Sequence, residues 1–301
     1  MRLPGRPIAI LCLLAATLAG AETLSRPFSG VTHIHRTETE PRPVSMHLLK
    51  VDLSAPGLSF KLTPGGGGSR ETVRQRTVDF LNQEHAQAAI NAHFFLPFPS
   101  AEPDADLVGL AASGGVVYSN FEAPVQSYAL VANAPALNID SHNRAAIVGR
   151  DSHGETLWTA VSGSAQIVTG GKATIPVYAD EDHPDGQLTP GGPGNYSNAH
   201  SWYEATNART IIGLSRDNRT LFLFTIDNAG GSKGLKVSEA AELLIRDYGV
   251  WNALNLDGGG STTLAMENSA THSGEVVNHP SDHPLGRAVG SSLAVFARGK
   301  E

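Results

Sequence analysis

Hydrophobic residues lie along this chain in short blocks separated by turn residues, and two stretches depart from that pattern. The first is 8–18, an apolar run behind Arg2 and Arg6 and ahead of Ala19-Gly20-Ala21. A basic start, a run shorter than the roughly 20 residues of a spanning helix and a small-residue site predict an exported chain cleaved before Glu22. No later run approaches membrane-spanning length. The second is a helical stripe. Val237, Ala240, Ala241, Leu244 and Tyr248 share one face at i, i+3, i+4, i+7 and i+11, with Ser238 near its start and Gly249 past its end. A shorter helix is predicted over 77–84, carrying Val78 and Leu81.

The remaining blocks read as strands: 44–53, 58–62, 86–95, 107–112, 116–118, 127–131, 137–139, 145–148, 158–161 and 165–168. After a polar loop over 180–208 come a hairpin, 210–215 with 220–227, then 252–257, 261–266 and 291–297. Short strands at this spacing predict an α+β fold: a single sheet-rich domain, mostly antiparallel, with a few packed helices. The expected organisation is a signal peptide over 1–21, a polar arm over 22–43 containing Pro27, Pro41 and Pro43, and one domain over 44–301.

Composition narrows the function. The net charge of −7 becomes −9 once Arg2 and Arg6 leave with the signal peptide, which argues against nucleic-acid binding, since that needs basic patches. Cys12, the only cysteine, leaves as well, so the mature chain has no disulfide and no thiolate metal site. Gly 32 and Pro 18 fit a turn-rich sheet protein.

The most informative segment is Leu254-Asn255-Leu256-Asp257-Gly258-Gly259-Gly260-Ser261-Thr262-Thr263. A carboxylate ends a hydrophobic strand, and three glycines follow, more than a tight turn needs. Glycine admits positive φ and close ligand approach, and successive N–H groups can cradle an anion. The Ser261 and Thr262 hydroxyls add donors there. Asp227 likewise ends an apolar strand. Two strand-end carboxylates suit acid–base or nucleophilic chemistry. A turn-capping role is the alternative, above all for Asp227-Asn228.

These segments, in order along 44–297, make the chain similar to the phosphodiester glycosidases. Ala89-Ile-Asn-Ala-His-Phe-Phe95 resembles an Ile-Asn-Gly-Gly-Phe-Phe segment of that family, and Arg209-Thr-Ile-Ile-Gly213 its Arg-Thr-x-x-Gly strand. Thr225-Ile-Asp227, the block from Ser232 through Thr262, and Asn278-His-Pro-Ser-Asp282 with Arg287 complete the set. His93 stands where the family usually has Gly or Asp, and Asn228 where it often has Gly. The resemblance implies an exported hydrolase with a catalytic domain over 44–301. Its substrate would be a sugar-1-phosphodiester, of N-acetylglucosamine-1-phosphate type or a related glycan, cleaved to free sugar and a phosphomonoester. Phosphate is a good leaving group, so stabilising its charge matters more than protonating it, and arginine suits that task. Arg209 and Arg287 are the candidates, with a surface salt bridge the alternative for each. Asp257 would act as general base or nucleophile with Asp227 as partner. Asn91, His93, Asn255 and Asn278 would bind sugar hydroxyls or an acetamido group, beside Gly258, Gly259, Gly260, Ser261 and Thr262; satisfying a buried backbone group is the equal alternative for each of the four, above all for Asn255 within its strand. A non-catalytic envelope or exopolysaccharide-binding protein on the same scaffold is the rival reading, and cleavage at the P–O bond a third.

Other signals are weaker. His33-x-His35 reads as exposed histidine rather than a metal pair. The acidic stretch from Asp180 to Gly186 lacks the EF-hand pattern, since Pro184 blocks a ligand position. No cofactor is required, and a looser divalent site, such as one for calcium, is left open. Trp202 and Tyr203 either stack on a sugar or anchor the long loop. The oligomeric state is not readable.

Overall fold

The computed structural model describes residues 20–122, 130–188 and 197–299. The signal-peptide run, most of the expected 127–131 strand, and Pro190 and Pro193 of the long loop lie outside these residues.

An eight-stranded sheet is the centre of the fold. Its strands run in the order Glu22–Phe28, Val31–Glu38, Val44–Asp52, Thr220–Ile226, Arg209–Leu214, Asn252–Asn255, Ala165–Thr169 and Lys172–Ala173. Every neighbouring pair is antiparallel. The central strands are apolar on both faces because both faces are covered. Leu49, Val51, Leu223 and Leu254 point into one core with Ile90, Leu264 and Leu293 of a second sheet. Met46, Leu48, Phe222, Phe224 and Ala253 point the other way, against Val237, Ala240, Ala241 and Leu244 of the longer helix, Val237–Tyr248. That helix follows the predicted stripe. Gly249 closes it in the left-handed region at φ 68, and the Glu239 carboxylate accepts the Lys236 N–H at 2.8 Å, a first-turn bond that Ser238 does not make.

The second sheet has five strands, ordered Ser273–Val276, Leu264–Asn268, Ala88–Asn91, Ser292–Phe296 and Ser59–Leu62. The short helix Thr77–Glu84 covers its outer face through Val78, Phe80 and Leu81. A third sheet, also five-stranded, gathers Val116–Ser119, Ala111–Ser113, Thr159–Ser162, Ala136–Ile139 and Ala145–Val148. The fold is therefore the sheet-rich, mostly antiparallel architecture that the pattern predicts, with two α-helices among the described residues.

The 22–43 segment differs from expectation. It forms a hairpin, Glu22–Phe28 with Val31–Glu38, that extends the main sheet beyond Val44–Asp52. Its outer strand is exposed over most of its length, so it needs few apolar residues and carries little hydrophobic signal. His33 and His35 are correspondingly half-buried rather than exposed. Both stack with His47, with ring centroids 5.2 and 4.3 Å away, and His33 Nε2 lies 3.0 Å from His47 Nδ1.

Candidate active site

The Asn252–Asn255 strand delivers Asp257 to the seam between the first two sheets. Leu256 N–H donates to Thr210 at 2.9 Å in the first sheet, and Asp257 N–H donates to Ala92 at 3.0 Å beyond the end of a second-sheet strand. Asn91 fixes the same point. Its amide donates to the Asp257 carbonyl at 2.6 Å, while its side-chain oxygen accepts from Thr210 Oγ1 at 2.8 Å and Thr263 N–H at 3.0 Å. Asn91 is fully buried with its bonds made, so it positions the Asp257 loop and does not itself reach the pocket.

The chain then folds tightly over the three glycines. Gly259 takes φ +58, and a Cβ at Gly260 would collide with the Asp282 carboxylate and the Arg287 guanidinium. Here glycine is required by close approach of the closing segment. The expected anion cradle is only partly present. The amides of Gly259, Ser261 and Thr262 donate to Ala208, Gly258 and Gly259 carbonyls, and that of Gly258 faces the Asp257 carboxylate.

Asp257 opens onto a cavity of about 340 Å³ lined by Phe94, Phe95, Leu96, Phe98, Trp202, Asn207, Arg209, Gly258–Gly260 and Arg287. Burial of the half-buried carboxyl pushes its pKa up to about 7, against the opposing pull of Ser261, Arg287 and the Gly258 amide. Arg287 donates from Nε to Asp282 at 2.8 Å and again from Nη2, reaches Ser261 Oγ with Nη1 at 3.2 Å, and lies 4.6 Å from the Phe98 ring centre. Arg209 is 2% exposed and makes no ion pair among the described residues. Its Nε donates to Leu235 at 3.0 Å, and its Nη2 to the Trp202 and Ala205 carbonyls. Burial lowers its pKa to about 10, so it stays cationic at neutral pH, 5.6 Å from the Trp202 ring centre. Trp202 lines the cavity and packs on Phe94, while Tyr203 is buried and donates to Ser164.

Other expected site residues lie away from this cavity. His93 is fully buried, with Nδ1 2.9 Å from Ser291 Oγ and Nε2 3.0 Å from both the Leu110 carbonyl and the Ser162 amide. Burial lowers its pKa to about 4 and keeps the ring neutral. Asn255 bonds Ser164 and Leu256 from within its strand. Thr262 accepts from Thr210 at 3.3 Å. Asp227 is buried but does not line the cavity. Its Oδ1 accepts from Asn278 at 2.9 Å and from the His279 amide at 3.0 Å, its Oδ2 makes no hydrogen bond, and burial raises its pKa. Asn278 in turn donates to the Thr262 carbonyl at 3.2 Å, tying Asp227 to the glycine loop through one side chain. Asn207 and the apolar wall from Phe94 to Phe98 also face the cavity, though no site motif in the sequence marks them. The wall's one trace in the sequence is three phenylalanines among prolines. Among the described residues, no three His, Cys, Asp or Glu side chains gather closely enough to hold a metal, and in the acidic stretch Asp180 binds His183 and Asn198.

The family model described as phosphodiester glycosidase matches residues 84–296. The mouse and human N-acetylglucosamine-1-phosphodiester alpha-N-acetylglucosaminidases are 42% and 40% identical to the chain over 77 residues. That stretch is 26% of this chain and 13% of each of those proteins, so only a small part of their length is matched. The zebrafish catalytic domain of that enzyme, in a form auto-inhibited by its pro-peptide, shares the fold at TM-score 0.62 and 18% identity, over 94% of this chain and 89% of that one. A Burkholderia pseudomallei protein assigned as exported also has a TM-score of 0.62, at 15% identity, over 98% of this chain and 100% of its own.

Proposed function

Because the chain belongs to the phosphodiester glycosidase family, a family of glycosidase-type hydrolases, we propose that it hydrolyses a sugar-1-phosphodiester, releasing free sugar and a phosphomonoester. The observation that carries this reading is one cavity holding the Asp257 carboxylate, two guanidinium groups and an aromatic wall. A sugar phosphodiester needs each of them. The tilted rings of Trp202 and Phe94 offer apolar surface to a sugar ring, and Asn207 Nδ2, which makes no hydrogen bond among the described residues, can donate to a sugar hydroxyl. Arg287 and Arg209 supply positive charge where the leaving phosphate develops its own.

Asp257 is the group for proton transfer. Near neutral pH a carboxyl with a pKa of about 7 is partly ionised, and the ionised form takes a proton from water attacking C1. The C1–O bond breaks with its electron pair on the phosphate oxygen, and the phosphomonoester leaves. Asp227 serves as a positioning residue, holding Asn278 against the glycine loop. We also propose export through the 1–21 signal peptide; among the described residues no helix is long and apolar enough to cross a membrane.

Hydrolysis in ¹⁸O-labelled water tests the bond that breaks. The label is expected on the anomeric oxygen of the released sugar. Label on the phosphate would mean P–O cleavage and overturn this reading.

A further inference from the structure

The cavity is asymmetric. At one end Arg209, 2% exposed, lies against Trp202, which packs on Phe94. At the other end Arg287 lies against Phe98, whose side of the cavity is open: Phe98 is 50% exposed, on a wall it shares with Leu96 and Phe95. Asp257 lines the same cavity, so C1 of a bound sugar is expected against its carboxylate. A phosphate bonded to C1 and held by Arg287 then directs its second ester group toward Phe98 and solvent.

We propose that this open end is an aglycone subsite for an apolar alcohol, so the phosphodiesters preferred are those whose second ester group is aromatic or aliphatic. This rests on the hydrolase reading above and adds the class of the group across the phosphate from the sugar. A half-exposed phenylalanine stacked on a cation at a cavity mouth keeps apolar area in water that a polar aglycone, itself well hydrated, would gain little by covering, whereas an apolar one would remove it. The guanidinium beneath the ring holds it in place through a cation–π contact, so the surface is ready before the ligand arrives.

The test uses Asp257→Asn protein, in which turnover is removed, and two ligands, the methyl and benzyl phosphodiesters of α-N-acetylglucosamine 1-phosphate. Calorimetry reads Kd for each. The benzyl ester is expected to bind about tenfold more tightly than the methyl ester. Adding Phe98→Ala is expected to bring the two within about twofold, while Val116→Ala, an exposed apolar change on another sheet, leaves the preference intact. Equal affinity for both esters, no binding of either, or a benzyl preference that survives Phe98→Ala would overturn the subsite. Because this readout is binding, it separates from the fate of the hydrolase reading: wild-type protein that shows the benzyl preference yet cleaves neither ester refutes the hydrolase reading and leaves the subsite standing.

Discussion

At the scale of single residues the account turns on how burial sets protonation. The raised pKa of Asp257 makes two linked expectations. If the ionised form is the base, kcat/KM rises with pH and levels off above about 7, the pKa that burial sets. The same shift costs stability. A carboxyl whose folded pKa lies above its unfolded value contributes its full stabilisation below pH 4 and loses it as pH rises through about 7. Asp257→Asn is therefore expected to raise the melting temperature at pH 8, with an advantage of at most ~4 kcal/mol that vanishes toward pH 4. A thermal-melt series on both proteins checks this, and an advantage that grew toward acid pH would contradict it. Asp227→Asn keeps a side chain able to contact Asn278 and should lower kcat/KM less than Asp257→Asn does. Equal losses in steady-state assays would place Asp227 at the chemistry.

At the scale of elements the glycine loop is where sequence and structure meet most closely. Gly260 sits where the closing segment brings Asp282 and Arg287 together. Gly260→Ala should push that pair off the loop and lower kcat/KM by about 10- to 100-fold, with only a modest drop in melting temperature, because the core is untouched. An unchanged rate would mean that Arg287 need not be held there. The loop was legible because a charged residue at the end of an apolar strand, followed by three glycines, is a local pattern. The helix Val237–Tyr248 was legible for the same reason, since its face repeats within its own segment. The hairpin at 22–38 was not, because its outer strand is an edge that buries little, and the pairing of its inner strand with Val44–Asp52 is set by register rather than by hydrophobicity. Nor could spacing tell Asn91 and His93, which brace the site from behind, from Asn207 and Phe98, which face the cavity. That difference arises only when two sheets close on each other.

Across the whole molecule, buried neutral histidines make the fold sensitive to acid. Burial lowers His93 to about 4 and His47 to about 3, and lowers His33 as well. For these groups the folded pKa lies below the unfolded value of about 6.5, so their stability is present above pH 6.5 and is lost as pH falls toward 4. Melting temperature should decline over that window, and His93→Gln should flatten the decline even if it lowers the maximum. His93 joins the end of a second-sheet strand to the third sheet, and His47 lies in the first, so the acid sensitivity belongs to the joined sheets together. The catalytic reading also depends on that joining, because Asp257 is held between the first two sheets and opens onto the cavity with Arg209 and Arg287. Its most direct test is release of free sugar from an α-N-acetylglucosamine 1-phosphodiester by wild-type and Asp257→Asn protein. The account predicts turnover by the wild type and a loss of at least about a thousandfold in the variant, whereas undiminished release by Asp257→Asn would contradict it.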